Sequence, residues 1–286
     1  MITLKLKHWR TVGVAATTFG LAACSGGESG ADVGEGGEGE AGEPPPIGEN
    51  GGATPAVPDA AESGEAAIGE TGGEAGALTA YAGLSGDQLA ATRIQHLRGY
   101  IMAAAQVVAD RGANSGDPAD AAILVQQGLI EVYDAAPDQF GTLDMTAIRE
   151  AAAGTTFTRA QMMQRLRTAQ ENLTHAVGQL RFDDAQLVVR MIDLSTGLYQ
   201  QAVAGGVTDP TEYQHSMGAA LAAQQALLLR EDALRRENLG AYSRAVGEMN
   251  RYVALFPPQP PAQNATTYQQ MLVQGSRVRL ALSPYL

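Results

Sequence analysis

From residue 79 onward the chain carries start and stop signals for helices and almost none for strands. Runs rich in Ala, Gln, Leu and Arg are opened by Ser, Thr, Asp or Asn and closed by Gly or Pro, the punctuation of consecutive helices. Ser85-Gly86-Asp87-Gln88 has the form of a capping box and predicts a helix to Arg111 that stops at Gly112. Asp117-Pro118 predicts a second helix to about Ala135, and Asp144 a short third ending near Gly154. A second capping box, Thr158-Arg159-Ala160-Gln161, opens a fourth that reaches about Leu180. Asp183 starts the next, to Gly205-Gly206. Only Arg181 and Phe182 separate these two helices, so they are expected to pack as an antiparallel hairpin. Asp209-Pro210-Thr211-Glu212 opens a helix through Leu227-Leu228-Leu229 to about Arg236. Asn238-Leu239-Gly240 breaks or bends it before residues 242–255, and Asn264 is expected to cap a last helix to Leu282. The fold class is all-α: a bundle of about seven helices over residues 79–286, long enough for one domain with its own core.

Sliding the chain by 119 residues brings out an internal echo. Gln95-His96-x-x-Gly99-x-x-x-Ala103-Ala104-x-Gln106 recurs as Gln214-His215-x-x-Gly218-x-x-x-Ala222-Ala223-x-Gln225. The same shift lays Tyr133 on Tyr252, and one inserted residue aligns Asp144 with Asn264. If the echo is a duplication rather than chance similarity between Ala-rich helices, two similar three-helix segments flank a central hairpin. Short solenoid repeats are excluded by the spacing. Gly99 with Ala103, and Gly218 with Ala222, are small residues one turn apart. Two such faces would let backbones approach closely and bring His96 and His215 together around a pseudo-two-fold axis.

The first 78 residues are of another kind. Lys5, Lys7 and Arg10 precede an uncharged, mostly apolar run from Thr11 to Gly20, too short to span a bilayer. Leu21-Ala22-Ala23 then leads directly into Cys24, the only cysteine. This resembles the lipobox of bacterial lipoproteins, in which the leader (here residues 1–23) is removed. The resemblance implies that the Cys24 thiol is diacylated and that the new amino terminus also carries a fatty acid such as palmitate. Two or more acyl chains hold a protein stably on a leaflet where one does so marginally. Ser25, rather than Asp, at the next position resembles the sorting signal for the outer membrane, with the domain facing the periplasm. The competing reading is an ordinary signal peptide with a chance cysteine.

Charge follows the same division. The formal net charge is −12, yet residues 25–78 hold twelve acids and no Lys or Arg. The helical region is close to neutral, and all its basic residues are Arg. Residues 24–78, rich in Gly, Glu, Ala and Pro and without aromatics, are predicted to be a disordered acidic linker that cannot bury enough apolar area to offset ordering. The alternative is an acidic tail that recruits cations or a basic partner. The Arg residues form no nucleic-acid-sized patch, and export points the same way, so no nucleic-acid partner is expected.

Candidate chemistry is sparse. There is no Gly-x-Ser-x-Gly, no Lys-containing phosphate loop and no His-Glu-x-x-His, so no catalytic residue is assigned and a non-enzymatic role is expected. Asp183-Asp184 and Glu231-Asp232 are most simply helix-end charges. Beyond the leader the histidines are His96, His175 and His215. Glu171 precedes His175 by four positions and Glu212 precedes His215 by three, spacings that put carboxylate and imidazole on one helix face. Glu-x-x-His also occurs in di-iron helical bundles, which need two such pairs where one exists here. Satisfied or exposed histidines, and Glu212 as the third residue of a cap, are the competing explanations. The Ala- and Gln-rich exported helical region with two similar halves resembles the imelysin-type proteins of bacterial iron acquisition. That family carries G-x-H-x-x-E, whereas all three histidines here have Gly at that offset. Gln126-Gln127-Gly128-Leu129-Ile130-Glu131-Val132-Tyr133 is similar to the motif with its histidine lost, leaving Glu131. The resemblance implies iron, another divalent metal or haem as cargo, with His96, His175, His215, Glu171, Glu212 and Glu131 as candidate ligands. The leading expectation is a membrane-anchored envelope lipoprotein that binds or assists an envelope protein partner and holds no cofactor.

Overall fold

The computed structural model describes residues 79–110, 116–141, 143–204, 206–257 and 266–286. The leader, Cys24, the linker, Gly112 and Asn264 lie outside the described residues. The α-helices are α1 (Gly86–Ala109), α2 (Pro118–Gly128), α3 (Thr146–Ala152), α4 (Arg159–Gly178), α5 (Asp184–Val203), α6 (Pro210–Leu229), α7 (Glu231–Val253) and α8 (Tyr268–Leu282). A π-helical turn, Leu129–Tyr133, extends α2, and 3-10 turns cover Pro137–Phe140 and Ser283–Tyr285. No strand occurs among the described residues. The all-α class stands, with more helices than the expected seven or so.

Most helix starts are built by the residues that announced them. Asp117, Asp183 and Asp209 accept backbone N–H groups of the first turn, and Thr158 with Gln161 completes a capping box. Asp144 accepts from the Thr146 amide at 2.9 Å. Each such cap is worth roughly 1 kcal/mol. The box expected at Ser85 does not form, and Gln88, its other member, is used at long range together with the neighbouring Asp87. Asp87 accepts the Arg181 amide at 2.8 Å, and Gln88 Oε1 accepts the Asp183 amide at 2.8 Å. The start of α1 thereby clamps the turn between α4 and α5. The last helix begins after Thr267, which forms a capping box with Gln270. The helix through Leu227 to Leu229 breaks at Arg230 instead of running to Arg236, while Asn238 (φ −153°, ψ 92°) kinks α7 at the expected place.

The helices form two rings of four. In the first, α1 packs on α2 and α4, and α3 bridges α2 and α4. In the second, α6 packs on α5 and α7, and α8 bridges α5 and α7. Each ring encloses its own apolar cluster: Leu97, Ile101, Val125, Ile148 and Leu166 in one, Met191, Leu198, Met217, Met249 and Val278 in the other. The expected α4–α5 hairpin is corrected by this arrangement. Met162, Leu166, Ala169 and Leu173 turn α4 into the first cluster, and Leu187, Met191, Leu194 and Leu198 turn α5 into the second. Burial of each stripe in a different core outweighs the short connection, and the two helices separate to close one ring each.

The rings meet where α1 lies against α6 and α5. At the centre of that seam Gly99 faces Gly218. A Cβ on Gly218 would stand 2.3 Å from the Gly99 carbonyl oxygen, and one on Gly99 would stand 3.1 Å from the Ala219 amide nitrogen. The close approach anticipated from the echo is present, and it is reciprocal. Because the obstacle is backbone, Gly218→Ala is expected to cost about 3 kcal/mol or more in urea unfolding. Gly247, inside α7 with open space where a Cβ would go, serves as the control. Gly247→Ala should raise stability by about 0.5–1 kcal/mol; equal effects at the two sites would refute the backbone contact.

Candidate functional site

Polar side chains collect along the seam on both sides of the glycine contact. Helix α1 buries Gln95, His96, Arg98 and Tyr100, while α6 buries His215. The small residues bring the helix axes so close that these neighbours have no route to solvent: His96 and His215 are each 4% exposed.

Tyr100 stands between the two imidazoles. Its ring centre is 5.3 Å from that of His96 and 4.5 Å from that of His215. On one side the Tyr81 hydroxyl meets His96 Nδ1 at 2.5 Å, and the Arg93 guanidinium lies 4.5 Å over the Tyr81 ring. On the other, the Tyr100 hydroxyl donates to Glu131. The π-helical turn carries Glu131; its extra residue per turn is a distortion often found where a helix must re-aim a side chain. His215 Nε2 bonds Gln127 Oε1 at 3.1 Å. With that nitrogen protonated, the Nδ1 lone pair points toward Glu212 Oε2 at 4.0 Å. Both of those atoms, and His96 Nε2, are buried without a hydrogen-bond partner.

Burial controls the charge state of this group. Desolvation, then the proximity of His215 and Arg93, brings His96 from 6.5 to about 3. Desolvation brings His215 from 6.5 to about 4, opposed by Asp209. Glu212 is pushed upward by desolvation, Glu131 and Asp209. The His215–Glu212 contact is therefore no ion pair at neutral pH, since the imidazole is uncharged. Tyr100 is pushed well above its usual value by desolvation and by Glu131. Among the described residues one cation is fully interior: Arg98, 1% exposed, donates to Gln95 at 3.1 Å and to Thr174 at 2.7 Å. Neither partner is an acid, and desolvation lowers the guanidinium to about 10.

Of the candidate ligands, the seam gathers His96, His215, Glu212 and Glu131. His175 and Glu171 sit on the exposed face of α4 and do not join them, because α4 turns its buried stripe toward the first core. Cys24 lies outside the described residues. Among the described residues no three His, Cys, Asp or Glu side chains converge to hold a metal ion. No spacing or motif marked Tyr81, Arg98 or Tyr100 as members of the cluster. Gln127 and Glu131 fall in the stretch from Gln126 to Tyr133, singled out for its similarity to the imelysin motif.

No family model matches the chain, and no curated protein or solved structure matches it significantly.

The cluster makes a prediction about acid. Folded, both imidazoles resist protonation; unfolded, they take up protons near 6.5. Between that pH and about 4 the unfolded chain binds more protons, so stability falls as pH falls. Glu212, shifted the other way, holds its proton better in the folded chain and offsets part of the loss. His215→Gln, which can still bond Gln127, should lose less stability than the parent between pH 7 and 4. The difference expected from urea midpoints is about 3 kcal/mol. An unchanged acid limb would show that His215 does not titrate as described.

Proposed function

We propose that this chain is a lipid-anchored protein of the bacterial cell envelope whose helical domain acts by binding rather than by catalysis. The observation that carries the reading is Leu21-Ala22-Ala23-Cys24, placed at the end of a basic and then apolar leader. Ser25 favours the outer membrane by the sorting resemblance. The acidic residues 25–78 supply length between anchor and domain, and their lack of Lys and Arg gives an anionic membrane surface nothing to attract. No helix among the described residues is long and apolar enough to cross a membrane, so in this reading the acyl groups are the attachment. The buried groups at the seam support a binding role more than a catalytic one. His96 and His215 are enclosed, so a substrate would have to open the contact between the rings to reach them.

Mass spectrometry of protein purified from membranes tests the anchor. The expected mature chain begins at Cys24 and carries acyl groups, and Cys24→Ser should move it from the membrane to the soluble fraction. A mature terminus elsewhere, or a bare Cys24, would overturn the reading.

A further inference from the structure

A second feature lies away from the seam, in the ring that holds α5 and α8. These helices border an open cleft of about 670 Å³, within the ~300–1,000 Å³ usual for small-molecule sites. Asp193 of α5 and Arg279 of α8 form an ion pair across it, with side chains 27% and 38% exposed. The apolar lining comes from Val189, Leu272 and the Tyr268 ring, and Gln200 adds an exposed amide.

The charges in this cleft are unevenly matched. Burial raises the Asp193 carboxyl, while Arg279 and then Arg190, one turn earlier on α5, lower it. Two guanidinium groups therefore act on one carboxylate. Arg279 uses one amino arm on Asp193, and its Nε–H is buried without an acceptor. An additional carboxylate is the group this arrangement lacks, and among the described residues Asp193 is the acid lining the cleft that can receive an ammonium.

The geometry points to a binding site for a free amino acid or short peptide, its carboxylate held by Arg279, its ammonium by Asp193, and its side chain against Leu272 and Tyr268. The bond between Asp193 and Arg279 opens or shares its arms as the ligand enters, and the Gln200 amide meets a peptide group. This deepens the binding reading above and does not depend on the lipid anchor.

Isothermal titration of the full chain with L-alanyl-L-alanine tests it, alongside the N-acetylated and C-amidated forms and N-acetylglucosamine. The uncapped dipeptide should bind with a Kd below about 1 mM, weaken tenfold or more when either end is capped, and be recovered unhydrolysed. Gln200→Trp, at an exposed position that leaves the ion pair intact, should abolish binding without changing the melting temperature. Asp193→Asn should release chiefly the preference for a free ammonium. Absence of binding, equal binding of the capped dipeptides, equal binding by the Trp variant, or preference for the sugar would each overturn the assignment. Dipeptide binding by a chain whose Cys24 is bare would remove the anchor alone; hydrolysis of the dipeptide would remove the non-catalytic reading.

Discussion

The backbone contact between Gly99 and Gly218 is the constraint on which the rest of the molecule depends. Two helices can approach this closely only where neither carries a Cβ at the crossing, and each glycine here fills the space the other's side chain would need. The contact joins two four-helix rings that otherwise bury separate cores. It is also the reason that polar residues one turn to either side become interior. Gln95, His96, Arg98 and Tyr100 are ordinary residues for a helix surface; the close crossing encloses them.

Enclosure has an energetic consequence. An unpaired buried polar group costs on the order of 1–3 kcal/mol, and the seam contains several: His96 Nε2, His215 Nδ1, Glu212 Oε2 and Arg98 Nε. The imidazoles limit that cost by remaining neutral at neutral pH, while burial and the nearby Glu131 and Asp209 push the Glu212 carboxyl upward. Arg98 has no such recourse and is accommodated by a side-chain amide and a hydroxyl. The second ring, by contrast, gives its interior hydroxyls partners: Tyr252 bonds Ser195 and Thr196, Ser195 and Ser216 each donate to the other's backbone carbonyl, and Tyr199 and Tyr213 donate to the carbonyls of Thr266 and Pro257. The two interiors are polar for different reasons. One is a hydroxyl network, and the other is a set of titratable groups confined by a backbone contact.

The paired rings explain why the halves look alike without being a simple tandem copy. Helix α1 matches α6, and the segment ending at Tyr133 matches the end of α7 at Tyr252. The fourth member of each ring comes from the middle of the chain, α4 for the first and α5 for the second. The clamp from Asp87 and Gln88 onto the backbone of Arg181 and Asp183 holds the point where the chain passes from one ring to the other.

The sequence by itself determined the helical class, most helix starts and the kink at Asn238, and its internal echo pointed to the approach of Gly99 and Gly218 without deciding it. These follow from short-range chemistry: a side-chain oxygen within reach of a first-turn amide, a proline or glycine at a fixed offset, and missing Cβ atoms on matching faces. Only the tertiary structure decided that α4 and α5 part, that Asp87 and Gln88 serve another segment rather than their own helix, and that His175 and Glu171 stay outside. It alone also showed that the π-helical turn aims Glu131 at Tyr100 and that Asp193 meets Arg279 from 86 residues away. Each of those outcomes is a competition between one partner nearby in sequence and another brought close by packing. Spacing along a helix specifies which residues share a face, but not which core that face will enter.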